Sequence, residues 1–231
     1  ADGEEDEERV RFEVSEEVPD LAAADLARRC LPIGESYVRV REFARSRSRY
    51  EFGRAAHALA AAMRAVLREY LLLIAQLEAR KPRLQELYFW LRKPAKQLAA
   101  LDAVASTCAP KKGGALLDAL LRLRAAAADS EDFALLDTLA RAATKPYLET
   151  LETWLRSGTL DDPYLEFFVQ RDDSAAASQL DDYNGGTAWD TRFTCDASHA
   201  VGPALRARAA QVAVTGKYLE VLRDIVVRPD D

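Results

Sequence analysis

The chain has 231 residues, 49% of them apolar, with 38 acidic against 32 basic side chains and a formal charge of −6. Six of the acidic residues, Asp2, Glu4, Glu5, Asp6, Glu7 and Glu8, crowd the first eight positions, and the other 32 balance the 32 Lys and Arg. The body therefore lacks the cationic excess with which a general nucleic-acid binder displaces counterions, and no run approaches the ~18 apolar residues of a membrane span.

An alanine-rich apolar fraction with 10 Gly and 9 Pro suits long helices better than a strand-rich sandwich. Residues 1–9 carry too little apolar surface to pack and read as an acidic disordered tail. The start at Ala1, without Met or an apolar leader, reads as an excised segment and not a secreted precursor. Val10–Val14 alternates apolar and charged residues, predicting a short strand that Pro19 ends. Asp20 is placed to cap a short helix over Leu21–Cys30, which Pro32 and Gly34 should break. A local basic cluster follows: Arg39, Arg41, Arg45, Arg47, Arg49 and Arg54, partly offset by Glu42 and Glu51. It reads either as a solvated loop and helix end or as a docking patch for an acidic partner.

The strongest periodic signal runs from Glu51 or Gly53 to Arg80, where Leu59, Met63, Val66, Tyr70, Leu73 and Leu77 recur at three- and four-residue steps. Leu67, Leu71, Leu72 and Ile74 widen this stripe into a face expected to meet several neighbours. After Pro82 a second helix carries Leu84, Leu87, Leu91, Leu98, Leu101 and Ala105, with a kink expected at Pro94. The short connection favours antiparallel packing of these two helices. Beyond the KKGG turn (Lys111–Gly114), Leu116, Leu117, Leu120, Leu121 and Leu123 make a third helix. Asp129 or Ser130 caps a fourth, with the stripe Phe133, Leu136, Leu139, Ala143, Tyr147, Leu151 and Trp154, a kink at Pro146 and a stop at Gly158. Residues 170–202 are loop-like, apart from an extended segment around WDTRFT (Trp189–Thr194). Pro203 suits a helix first turn, and two helical pieces, Ala204–Val214 and Lys217–Val227, are expected on either side of Gly216. The fold class is all-α: an elongated stack of helical bundles with kinked long helices and a minor extended segment. Residues 10–160 form the N-terminal bundles, 161–202 an aromatic, loop-rich segment and 203–231 the closing helices.

Residue types for chemistry are scarce. His57 and His199 are the two histidines, and His57 lies among alanines as a packed or capping residue. Cys195 and His199 have a spacing zinc can use, but structural zinc takes four ligands and no second Cys/His pair is near. A Cys195–His199 nucleophile pair lacks an identifiable orienting group. TGKY (Thr215–Tyr218) has Gln211 and Tyr218 where a phosphate loop needs glycine and Ser or Thr, leaving Gly216 as a helix break or a close-packing site. Asp161/Asp162, Asp172/Asp173 and Asp181/Asp182 read as caps and solvated turns, and no cofactor or metal is expected. Cys30, Cys108 and Cys195 are too few and too far apart for a disulfide framework. Tyr147, Trp154, Tyr164, Phe167, Phe168, Tyr183, Trp189 and Phe193 form an aromatic set that reads as core between bundles or as an exposed interface.

Three blocks, YEFGRAAHALAAAMRAVLREYLLLIAQLE (Tyr50–Glu78), DDPYLEFFV (Asp161–Val169) and TGKYLEVLRD (Thr215–Asp224), resemble in the same order the N-terminal half of the γ-tubulin complex components. LQELYFWLRKP, with a small gap near Pro94, and WDTRFT continue the likeness, which covers Leu31 to Arg223 with gaps in loops. KPYLETLETWLRSGTLDDPYLEFFV is its most specific part. The signature residues, which are also the candidate interface, are Tyr147, Trp154, Asp162, Pro163, Tyr164, Glu166, Phe167, Tyr183, Trp189, Gly216, Lys217 and Tyr218. The resemblance implies a non-enzymatic scaffold that packs laterally on other components and templates microtubule nucleation. Its γ-tubulin would be held by a separate C-terminal half of the parent protein. It implies a cytoplasmic, cytoskeletal setting at a microtubule organising centre, centrosome or spindle pole, with no nucleic-acid or membrane partner. A generic helical adaptor or tethering-complex subunit, and a cysteine hydrolase using Cys195 and His199, are the alternative readings.

Overall fold

Residues 11–15, 20–171 and 192–227 are described by the computed structural model, and among them lie seven α-helices and one two-stranded ribbon. The acidic tail, Tyr183, Trp189 and the Asp172/Asp173 and Asp181/Asp182 pairs fall outside the described residues.

The first helix, α1, spans Leu21–Ser46. Asp20 caps it as expected, its Oδ1 accepting from the Ala22 and Ala23 amides at 2.9 and 3.2 Å. The helix does not stop near Cys30, however, but continues through Pro32 and Gly34. Pro32 is exposed, so water can reach the carbonyl it leaves unpaired, while Ala24, Ile33, Val40, Phe43 and Ala44 are buried along the same helix. Packing of that face outweighs the local proline penalty of ~3 kcal/mol. The strand expected at Val10–Val14 is also absent: residues 11–15 pair with no other strand among the described residues. Instead the Phe12 ring seats on Gly34 and the Phe12 amide donates to Glu35 Oε1 at 3.4 Å, so the alternating pattern places one aromatic on a helix.

A 3₁₀ turn at Tyr50–Phe52 leads into α2, Gly53–Arg80, within the expected bounds. Leu59, Met63, Leu67 and Leu77 are buried, and Val66, Tyr70, Leu73 and Ile74 are half-buried against the core. Leu71 and Leu72 are 45% and 65% exposed, contrary to the reading that they widen the buried face. The reason is the partner of α2. It packs mainly on α5 (Ser130–Ser157), with smaller contacts to α1 and α4 (Gly113–Ala126). It scarcely touches α3 (Leu84–Cys108), which follows it in sequence and packs on α1. Lys81, in the left-handed region at φ 46°, closes α2 before the short connection, yet that connection does not make an antiparallel packed pair.

Pro94 lies inside α3, whose inward face is Leu91, Leu98, Leu101, Val104, Ala105 and Cys108. Arg39 of α1 grips Asp102 of α3 with Nε at 2.9 Å and Nη2 at 2.7 Å, a bidentate tie between the two helices. Asp129 caps α5 through the Glu131 amide at 3.1 Å, and α5 runs through Pro146 to Gly158, whose φ of 63° ends it. Phe133, expected in its buried stripe, is 47% exposed in the first turn of α5. The ribbon pairs β1 (Val169–Arg171) antiparallel with β2 (Phe193–Cys195), Val169 opposite Cys195. Two helices close the chain, α6 (Gly202–Ala207, with Pro203 in its first turn) and α7 (Ala209–Val227). The break between them falls at Arg208, and Gly216 lies inside α7.

Leu101 and Leu72 separate buried from exposed leucine in one test. Leu101, with 0% of its surface exposed, should cost about 2–5 kcal/mol on replacement by alanine. Leu72→Ala should stay within about 0.5 kcal/mol of the parent in chemical denaturation.

Candidate functional site

Past Gly158 the chain turns back beneath the helices it has just built. The Asp162 carbonyl accepts from the Leu165 amide at 3.3 Å and Asp162 Oδ2 accepts from the Phe167 amide at 2.7 Å. The Asp-Asp-Pro sequence thus makes a turn and not a helix. Pro163 is exposed on it, and Leu165 is held in the left-handed region at φ 56°.

This turn carries Glu166 under the N-terminus of α2. Phe52 stands at the cap position and offers no acceptor. Glu166 Oε2 supplies it from far along the chain, accepting from the Arg54 amide at 2.7 Å and the Ala55 amide at 3.2 Å. Space for the carboxylate exists because residues 53 and 113 are glycine, at φ 87° and 50°. A Cβ on Gly53 would overlap the Glu166 carboxylate, and one on Gly113 would lie 3.1 Å from Glu166 Cα. Burial pushes the Glu166 carboxyl above its ordinary range although the two amides favour the anion. Its Oε1 is buried without a hydrogen-bond partner among the described residues.

Tyr164 lies on the outer side of the turn, 4.8 Å from the Tyr50 ring and edge-on to His57 at 5.8 Å. His57 Nε2 donates to the Arg49 carbonyl at 2.7 Å, the packed role expected of it. Arg54 pairs with Asp161 at 2.9 Å. On the inner side, Phe167 and Phe168 are buried, with Phe167 5.3 Å from the Tyr147 ring. The Tyr147 hydroxyl donates to the His199 carbonyl at 3.1 Å, and burial pushes its phenol well up. That carbonyl presses on Gly114, where any Cβ would overlap it.

Trp154 makes the second half of the junction. It is fully buried, 5.1 Å from Phe193 of β2, and its indole Nε1 donates to the Val212 carbonyl of α7 at 3.0 Å. The indole fills the volume where residue 216 would carry a side chain, which is why a glycine sits inside α7. Gly158 likewise meets the Gly216 carbonyl and the Glu220 backbone. Glu220, 5% exposed, pairs with Arg192 at 3.3 Å. Tyr147, Trp154, Asp162, Tyr164, Glu166, Phe167 and Gly216 are therefore brought together, while Lys217 is half-buried and Tyr218 is 57% exposed on the outer face of α7. Gly53, Gly113, Gly114 and Asp118 belong to the junction and were missed from sequence. Asp118 accepts from the Gly202 amide at 2.7 Å and pairs with Arg206. The available signal was glycine at a helix start, where small residues permit another segment to approach.

Of the residues considered for chemistry, Cys195 is exposed, and burial first, then Asp196, raises its thiol. That is the opposite of an activated nucleophile. His199 Nδ1 lies 3.3 Å from Asp196 Oδ2. No cluster of metal-ligating side chains occurs among the described residues, and no described helix is long and apolar enough to cross a membrane. The outer surface carries a large apolar pair instead: Phe89 and Trp90 of α3, in T-shaped contact at 5.9 Å, are 66% and 47% exposed.

The chain is similar in sequence to known proteins over nearly its whole length. Residues 2–230 match the family described as Gamma tubulin complex component N-terminal. The chain is 35% identical over 213 residues to Gamma-tubulin complex component 2 of Mus musculus, covering 89% of this chain and 23% of that protein. It is 32% identical over 225 residues to Gamma-tubulin complex component 2 of Arabidopsis thaliana, covering 94% and 33%. It is 28% identical over 252 residues to the Spindle pole body component alp4 of Schizosaccharomyces pombe, covering 88% and 32%. The chain thus spans about a quarter to a third of the length of the curated relatives it matches.

Two substitutions test the junction. Gly216→Ala should lower stability by about 1–3 kcal/mol on overlap with Trp154, in spite of the ~1 kcal/mol that alanine ordinarily gains in a helix, and should shift the tryptophan emission. Glu166 has a folded-state carboxyl raised above its 4.5 reference. The stability tied to its neutral form is therefore present below that reference and lost as pH rises through the folded value. The melting temperature of Glu166→Gln, which cannot ionise, should gain on that of the parent as pH rises above the 4.5 reference, and a pH-independent difference would contradict the assignment.

Proposed function

The chain belongs to the Gamma tubulin complex component N-terminal family, and from that premise we propose that it is the lateral spacer of such a component, a rigid helical body that sets the position of neighbouring components in the complex. Under this reading the parent protein's remaining length holds γ-tubulin, and the assembled row presents a template for microtubule nucleation at a microtubule organising centre in the cytoplasm. No bond is made or broken. The output is the geometry of a body whose helices are tied by Arg39–Asp102, Glu166 and Trp154.

The observation that supports this reading most directly is the Phe89–Trp90 pair. Adjacent exposed aromatics offer large contact area at low cost in side-chain entropy, which is how protein interfaces are anchored. Polar groups lie around this part of α3, where Lys93 pairs with Glu131 at 3.4 Å and Lys96 pairs with Asp129 and Asp132. An apolar centre bordered by charge is the anatomy of a protein–protein contact. The lateral surface is therefore assigned to the outward side of α3, opposite the side packed on α1.

Mixing the purified chain with a neighbouring component, followed by mass photometry, tests the assignment. The parent chain should associate. Phe89→Asp/Trp90→Asp should weaken association at least tenfold, or about 1.4 kcal/mol, while helical circular dichroism stays unchanged. Equal association by parent and variant would reject α3 as the contact, and no association by the parent chain would reject the lateral role.

A further inference from the structure

The arginines between positions 39 and 54 do not act as one patch. Arg39 is committed to Asp102. Arg47 reaches the Ala109 carbonyl and lies 3.9 Å over the Phe52 ring, and Arg54 pairs with Asp161. These three tie helices and loops together. Arg45 and Arg49 are both exposed, Arg45 with 82% of its side chain in solvent and only a long 3.9 Å approach to Glu42. Between them the chain reads Arg45-Ser46-Arg47-Ser48-Arg49, two serines set among arginines.

The structure separates the two serines. Ser46 is the last residue of α1, half-buried, and its hydroxyl donates to the Phe43 carbonyl at 2.9 Å within the helix. Ser48 is exposed in the turn that follows, where its amide donates to the Arg45 carbonyl at 3.2 Å. The Ser48 hydroxyl donates to the Ala44 carbonyl at 2.9 Å and accepts from Nη1 of Arg64, an exposed residue of α2. The same Nη1 donates to the Ala44 carbonyl at 3.0 Å, so a guanidinium from a second helix already rests on the Ser48 oxygen and on the end of α1.

We propose that Ser48 is a phosphorylation site, the acceptor for an arginine-directed protein kinase, and that Arg64 receives the phosphate and clamps the end of α1 to α2. Ser48 Oγ attacks the γ-phosphorus of ATP: the Oγ–P bond forms, the bond to the β-phosphate oxygen breaks, ADP leaves, and the hydroxyl proton passes to the kinase's general base. Arg45, three residues before Ser48, supplies the positive charge that such a kinase reads. The product carries about −1.5 to −2 charge at neutral pH and three strong acceptor oxygens. Guanidinium binds phosphate through paired, charge-assisted hydrogen bonds, and Arg64 is in contact with the esterified oxygen. An anion at a helix C-terminus opposes the helix dipole. Here the anion lies among Arg45, Arg49 and Arg64, and the bonds to Arg64 outweigh that repulsion. The turn leads through Tyr50–Phe52 into the start of α2 that Glu166 caps, so the clamp tightens the same end of the body.

The full 231-residue chain serves for the test, and no other component of the complex is needed, so its outcome is separable from that of the lateral assignment. The chain is incubated with ATP and the catalytic subunit of cyclic-AMP-dependent protein kinase, and the product is followed by intact mass and peptide mapping. Phosphate should map to Ser48, Ser48→Ala should lose the incorporation, and Ser46→Ala should keep it. Phosphorylation of the parent chain should raise its melting temperature by about 2–4 °C at low ionic strength. Arg64→Ala should be phosphorylated as the parent is, but without that gain. No incorporation, phosphate mapped elsewhere, incorporation that survives Ser48→Ala, a melting temperature unchanged or lowered by phosphate, or a gain that persists in Arg64→Ala would each overturn the proposal.

Discussion

The junction depends on one side-chain oxygen, from Glu166, reaching the start of a helix more than a hundred residues upstream of it. Glu166 completes the first turn of α2 because no side chain at position 52 can. It reaches that position because residues 53 and 113 leave no Cβ in its way. An orphan helix N-terminus is an unsatisfied set of donors wherever it is buried. Here the same group that satisfies them also fastens the turn after α5 beneath α2 and α4. From there Phe167, Phe168 and Val169 run into the core, and β1 takes β2 as its partner. Trp154 extends the same logic to α7, where the indole occupies the space beside Gly216.

Such a junction suits a part whose contribution is shape. The long helices α2 and α5 pack on each other, α1 on α3, and the segment from 161 to 171 with β2 and α7 locks the end of α5. Little in this arrangement could open without exposing buried aromatics or stranding the Glu166 carboxylate. Several residues that mark the likeness to γ-tubulin complex components are thereby explained as internal fastening. Large exposed aromatics lie elsewhere, at Phe89 and Trp90 of α3. Tyr147, Trp154 and Phe167 are buried, as fastening residues must be, while the signature residues Pro163 and Tyr218 stay exposed.

The basic cluster shows the same separation by use. Of six arginines close in sequence, Arg39, Arg47 and Arg54 hold the body together, while the side chains of Arg41, Arg45 and Arg49 are exposed. Charge counting along the chain cannot make that distinction, since it depends on which acceptor another element brings within reach.

Helix type and extent over α2 to α5 were legible because leucine at three- and four-residue steps has no other economical burial, and because Asp20, Asp129 and Gly158 act locally as caps. The family was legible because ordered blocks such as DDPYLEFFV carry the side chains with which this junction is built. The exposure of Leu71 and Leu72 was not legible: periodicity names an apolar face but not which neighbour will cover it, and α2 packs on α5 rather than α3. Pro32 failed to end α1 for a related reason, since packing on α3 exceeds a local backbone penalty. Gly216 allowed two readings from sequence alone, and only the arrival of Trp154 from another helix decided between a break and a close approach. Local periodicity and capping are properties of neighbours in sequence, so the sequence by itself determined the helices. Which faces met, which glycines were needed and which arginines stayed free to face solvent were decided by the tertiary structure, since each depends on atoms brought from distant parts of the chain.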